Sequence, residues 1–144
     1  MTVRTADDDE AETAALMADQ NHSIVVVEDD AGMRKALERL LRAAGFHALL
    51  FASAEALLET TAADSAGCLV LDIHLPGFSG FELRRRLVAS GHDAPVIFIT
   101  AQDEAPARDE ARQLNCIAYF RKPVEGTALL EAIRRALRMD SKPK

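Results

Sequence analysis

Cys68-Leu69-Val70-Leu71-Asp72-Ile73-His74-Leu75-Pro76-Gly77-Phe78-Ser79-Gly80 is the stretch on which the reading of this chain turns. Four apolar residues run into one carboxylate, and Pro76-Gly77 then turns the chain. A continuous apolar run closed by a turn signal is the pattern of a strand buried on both faces, as in a parallel sheet. Asp72 is then expected at the carboxyl end of that strand, where open α/β sheets place their ligand chemistry. Aspartate also ends strands for local reasons, so the rest of the chain has to decide its role.

On the N-terminal side, Ser23-Ile-Val-Val-Val27 is a short β-branched run that ends in Glu28-Asp29-Asp30. Like charges repel most where water is scarce, so three acids directly after a buried strand ask for a cation nearby. Met33, Leu37, Leu40, Leu41 and Ala44 mark one face of a helix over Ala31–Ala44, and Gly45 is its left-handed stop. Phe46 to Phe51 reads as a strand. Ser53 caps a helix through Glu59, and Thr60 to Gly67 reads as loop.

On the C-terminal side, Ser79 and Glu82 form a Ser-x-x-Glu capping box, with Phe78 and Leu83 placed for a hydrophobic staple. Leu83 and Leu87 face inward, while Arg84, Arg85 and Arg86 are expected to be mostly solvated. Pro95 opens a strand over Val96–Ile99 that leads to Thr100-Ala101. Asp103 is expected to cap a helix from Glu104 to Leu114 that tolerates Pro106 in its first turn. Asn115 is the left-handed stop of that helix. Ile117 to Phe120 is a fifth strand leading to Arg121-Lys122-Pro123. The last helix runs from Thr127 to Met139, with Leu129, Leu130, Ile133, Ala136 and Leu137 as its buried stripe. Five strands alternating with five helices imply a parallel sheet covered on both faces, a three-layer α/β/α sandwich.

The chain has 144 residues, enough for one domain with a proper core and too few for two. No apolar run approaches the ~18 residues of a membrane span, and the acidic N-terminus does not resemble a signal peptide. A cytoplasmic protein is expected. Cys68 and Cys116 lack metal-binding or redox spacing and read as buried free thiols. Asp7, Asp8, Asp9, Glu10, Glu12 and Asp19 oppose Arg4 alone in residues 1–21, a sum of −5 out of the net −6. What remains is nearly neutral, which argues against nucleic-acid binding by this chain. Residues 1–21 read as a flexible acidic extension with a marginal helix near Ala11–Ala18. Residues 22–139 form the domain, and 140–144 a polar tail.

In a parallel sheet all carboxyl ends lie at one edge. The first strand brings Glu28 and Asp29 there, the third Asp72, the fourth Thr100 and the fifth Lys122. Three carboxylates, a hydroxyl and an ammonium converge, a hard-oxygen set that suits Mg²⁺ beside a phosphate oxygen. No His/Cys cluster suits zinc.

The chain here resembles the receiver domain of bacterial two-component response regulators. The resemblance rests on Val-Val-Glu28-Asp29-Asp30, Leu-Asp72-Ile-His-Leu-Pro76-Gly-Phe-Ser-Gly80, Ile-Thr100-Ala101 and Tyr119-Phe-Arg-Lys122-Pro123. It implies a doubly wound, flavodoxin-like (βα)5 fold. It implies Asp72 as the acceptor of a phosphoryl group from a sensor histidine kinase or phosphotransfer protein. Glu28, Asp29, Asp72 and the backbone carbonyl of His74 would then hold Mg²⁺. Thr100, Ala101 and Lys122 would receive the phosphoryl oxygens, and Thr100 and Tyr119 would act as the switch. Output would pass to a downstream protein or a second copy through the fourth helix, fifth strand and fifth helix, with no membrane contact. A cis Lys122-Pro123 peptide is also implied. Glu28 stands where many members have Asp, and Asn115-Cys116 replaces a common Gly-Ala pair.

Three rival readings compete with this one. A phosphatase with an aspartyl nucleophile generally carries Asp-x-Asp, but Asp72-Ile-His74 lacks the second acid. A receiver that binds partners without phosphorylation would show losses among Asp72, Lys122 and the acid pair, and all are present. A longer DNA-binding regulator would carry an effector domain, and no such domain follows Met139. A stand-alone receiver that is not an enzyme is the expectation.

Overall fold

The computed structural model describes residues 23–141; the expectations for the acidic extension, for His22 and for the last residues lie outside them. The chain alternates β1 (Ser23–Val27), α1 (Ala31–Ala43), β2 (Ala48–Phe51), α2 (Ala54–Leu58), a 3₁₀ turn (Ala62–Ser65), β3 (Ala66–Asp72), α3 (Gly80–Ala89), β4 (Val96–Thr100), α4 (Ala105–Gln113), β5 (Ala118–Arg121) and α5 (Gly126–Ser141). The five strands form one parallel sheet in the order β2-β1-β3-β4-β5. The order reverses between β1 and β3, so the crevice of this fold opens at their carboxyl ends, beside Asp72.

Side chains alternate across a strand, and the sheet divides its core accordingly. Ile24, Val26, Cys68, Val70, Ile97 and Ile99 pack against α1 and α5 through Leu37, Leu41, Leu129 and Ile133. Val25, Val27, Leu69, Leu71 and Phe98 pack on the other face against Leu57, Phe81, Leu83 and Leu87 of α2 and α3. The three-layer doubly wound sandwich implied by the alternation is therefore present.

Local signals hold at several places. Ser53 Oγ accepts from Ala56 N at 3.0 Å, Ser79 Oγ accepts from Glu82 N at 3.1 Å, and Asn115 adopts φ 57°. The Lys122-Pro123 peptide is cis. Cys68 is buried, Cys116 is half-buried rather than buried, and no disulfide joins them.

Other readings need correction. β3 begins at Ala66, inside the stretch read as loop, because Ala66 pairs with Ser23 of β1. Long-range pairing here overrides a weak local signal. β2 begins only at Ala48, since Phe46 N turns back to Leu41 O at 2.9 Å to close α1. Glu82 pairs with Arg85 and Arg86 instead of completing the capping box. Asp103 does not cap α4; it pairs with Arg108 at 3.0 Å, and Glu104 takes the cap position without a side-chain bond. α5 starts one residue early, where Glu125 accepts from Thr127 N and Ala128 N, and it runs on to Ser141. Arg84 is 6% exposed, not solvated: it lies on the inner side of α3, and its Nη1 donates to Ala94 O at 2.5 Å.

Candidate functional site

The carboxyl edge gathers the predicted residues. Glu28 follows β1 and is fully buried; Asp72 ends β3 and is 2% exposed; Asp29 is exposed. Carboxylate oxygens of the three lie within 4.8 Å of one another. Lys122, just past β5, reaches across the sheet to the two buried acids. Its Nζ is 2.9 Å from Asp72 Oδ2 and 2.5 Å from Glu28 Oε1. Asp72 Oδ1 accepts from His74 N at 3.1 Å, and Glu28 Oε2 accepts from Asp30 N at 3.0 Å. The His74 side chain lies at the surface.

One ammonium faces three carboxylates, two of them buried. Burial, joined by the nearby Asp72 charge, pushes the Glu28 carboxyl up to about 7 against the pull of Lys122 and Asp30 N. Burial alone would lower the Lys122 pKa, but the bonds to Glu28 and Asp72 more than reverse it, so the net shift is upward. The cluster is short of positive charge.

Thr100 is fully buried at the end of β4, and its backbone carbonyl accepts from Lys122 N at 2.7 Å. Its hydroxyl is engaged with Gln102, donating to the carbonyl at 2.9 Å and accepting from the amide at 3.0 Å. Ala101 is exposed beside it. Tyr119 stands opposite Phe98 in the β4–β5 register, half-buried against that core. Its hydroxyl is buried near Asp103 without a hydrogen bond of normal geometry, and burial raises its pKa.

Two supports of the site were not read from sequence. A β-carbon on Gly80 would lie 2.3 Å from Asp72 O and 3.1 Å from Ile73 Cα, and Gly80 N donates to Ile73 O at 2.9 Å. The start of α3 thus rests directly on the backbone that carries Asp72. Gly80 follows Asp72 by only eight residues, but the close packing of the helix start on the strand end leaves no local signal. Arg34 of α1 donates from Nη1 to Glu28 O at 3.1 Å and Asp29 O at 3.2 Å. Arg34 flanks the apolar stripe of α1 and is half-buried, and nothing in the sequence marked it.

The geometry has counterparts. A sequence model described as the response regulator receiver domain matches residues 24–134. The response regulator protein TmoT of Ectopseudomonas mendocina is 36% identical over 128 residues, covering 89% of this chain and 58% of its own. The transcriptional regulatory protein FixJ of Bradyrhizobium diazoefficiens is 37% identical over 115 residues, covering 80% and 56%. The chain spans about half the length of these curated relatives. Among solved structures, response regulator StyR superposes with a TM-score of 0.76 at 39% identity, over 83% of this chain and 60% of that one. The crystal structure of FixJ-N gives a TM-score of 0.73 at 35% identity, over 83% of this chain and 95% of that one.

Proposed function

The chain belongs to the response regulator receiver domain family, and on that premise we propose that Asp72 is its phosphoryl acceptor. The observation that carries this reading is a buried Asp72 carboxylate bonded to Lys122, with two further carboxylates gathered at the same sheet edge. An Asp72 oxygen attacks the phosphorus of a phosphohistidine on a sensor histidine kinase or phosphotransfer protein. The new O–P bond forms as the N–P bond breaks, and its electron pair leaves on the imidazole nitrogen. Lys122 offsets the charge of the incoming phosphoryl oxygens from the position it already holds beside Asp72.

Glu28, Asp29, Asp72 and the His74 carbonyl would hold Mg²⁺. The donors are hard oxygens, and the cluster's shortage of positive charge fits a divalent cation. When bound, Mg²⁺ supplies charge neutralisation at the anionic phosphoryl oxygens. Thr100 donates its hydroxyl to one of those oxygens by releasing the Gln102 carbonyl, and the small Ala101 leaves room. Tyr119 then follows Thr100, and the surface of α4, β5 and α5 changes for a downstream protein or a second copy. Such a change needs differential contacts in the two states, which the phosphoryl group provides.

In this reading residues 22–139 are a cytoplasmic signalling unit, not an enzyme acting on separate substrates. Residues 1–21 and 140–144 flank it, and nothing in it contacts membrane or nucleic acid directly. The partial coverage of relatives named transcriptional regulators favours a second reading of the whole protein, a receiver joined to a DNA-binding output domain.

Incubation with Mg²⁺ and acetyl phosphate, followed by mapping of the adduct by mass spectrometry, tests the acceptor. A single phosphoryl group on Asp72, absent in Asp72→Asn, is expected. Label that survives the substitution, or that lies on a serine, overturns the reading.

A further inference from the structure

The turn from β1 into α1 carries two of the three clustered acids, so whatever fixes its backbone also fixes their aim. Its far end is held by Asp30, whose amide donates to Glu28 Oε2 at 3.0 Å and whose Oδ2 accepts from Met33 N at 2.7 Å. Its near end is held by Arg34, one turn into α1. A single guanidinium nitrogen, Nη1, bridges the carbonyls of Glu28 and Asp29. No hydrogen bond or ion pair joins Arg34 to the carboxylates of Glu28, Asp29 or Asp72; its side-chain bonds go to main-chain carbonyls.

We propose that Arg34 is a positioning residue for the cation site, acting through the backbone that aims Glu28 and Asp29 at Asp72. The inference rests on the metal-binding reading given above. Two effects of Arg34 oppose each other. As a cation close to the acids it repels a second cation, so by charge alone its removal would tighten Mg²⁺ binding. As a clamp it keeps the turn ordered before the ion arrives, so its removal would weaken binding. Freeing the backbone of even one residue is worth roughly tenfold in affinity, and loss of an outer-shell support typically costs tenfold or more. The turn is near the surface at Asp29, where water screens the charge effect, so the clamp wins.

The opposite signs make the test decisive. Mg²⁺ is titrated calorimetrically into the full chain at fixed ionic strength, for the wild type, Arg34→Met and Arg34→Lys. Each metal-free melting curve is recorded alongside. The expected result is a roughly tenfold rise in the Mg²⁺ dissociation constant for Arg34→Met and a smaller rise for Arg34→Lys. Both variants should melt cooperatively without metal. If Arg34→Met has no cooperative transition, Arg34→Gln takes its place with the same expectation. Binding as tight as wild type, or tighter, in the uncharged variant overturns the positioning role while leaving the Mg²⁺ site intact. Absence of Mg²⁺ binding in the wild type overturns both.

Discussion

Two cations are drawn largely out of water at opposite edges of the sheet, and they keep different company. Lys122, at the carboxyl edge, faces two buried carboxylates with a third close by. Arg84, at the amino edge, has no carboxylate bonded to it; its Nη1 meets the Ala94 carbonyl, and its Nε is buried without a partner. Burial lowers the Arg84 pKa, with Asp93 only partly opposing it, whereas the Lys122 pKa rises. One region is built of charges that need one another and still want a further cation. The other uses a charge to tie a helix to the next strand. Burial of a cation is thus no mark of function; the carboxylates assembled around it are.

Removal of Lys122 should break the comparison most clearly. Lys122→Met leaves Glu28 and Asp72 buried side by side and should cost about 3 kcal/mol of unfolding free energy at pH 8. Urea unfolding checks this, and a loss below about 1 kcal/mol would mean the acids do not depend on Lys122.

Next in size is the pH dependence of the carboxyl edge. The Glu28 carboxyl titrates near 4.5 ordinarily and near 7 in the fold, so the folded chain holds its proton more tightly. Its stabilising contribution is full below pH 4.5 and is lost as pH rises through 7, by at most about 3 kcal/mol. Urea midpoints in EDTA should therefore fall from pH 5.5 to 8. Glu28→Gln, which cannot titrate, should flatten that profile, and an already flat wild-type profile would contradict the shift.

The smallest effect is expected at Arg84→Met. It removes a desolvated cation but leaves the Ala94 carbonyl short of a donor, and the two nearly cancel, to within about 1 kcal/mol. A loss as large as that of Lys122→Met would erase the distinction between the two edges. It would mean that Arg84 carries an interaction as demanding as the one at the carboxyl edge.

The same contrast explains what was legible in the sequence. β1, β3 and β4 announce themselves as apolar runs, and each ends at its acid or hydroxyl, so Glu28, Asp29, Asp72, Thr100 and Lys122 could be brought to one edge by topology. Ser53, Ser79, Gly45 and Asn115 marked helix ends because capping is local chemistry. Arg84 was hidden because Arg84-Arg85-Arg86 reads as one solvated run. Only α3's orientation, set by Leu83 and Leu87, decides which of the three turns inward. The engagement of Thr100 with Gln102 and the clamp of Arg34 were equally hidden. Both depend on where a flexible side chain finds a partner, not on periodicity.

Gly80 offers no functional group, yet its lack of a β-carbon governs where Asp72 stands. The obstacle a side chain would meet is the main chain of β3, which cannot rotate aside as another side chain could. Relief would come from moving α3 or moving Asp72. In a screen for loss-of-function alleles, substitutions at residue 80 would therefore cluster with those at the acids and the lysine. A geneticist counting such alleles would infer a chemical role for a residue that has none. The acidic edge is thus more exposed to inherited damage than its own side chains suggest, because one of its determinants is an empty space on a neighbouring helix.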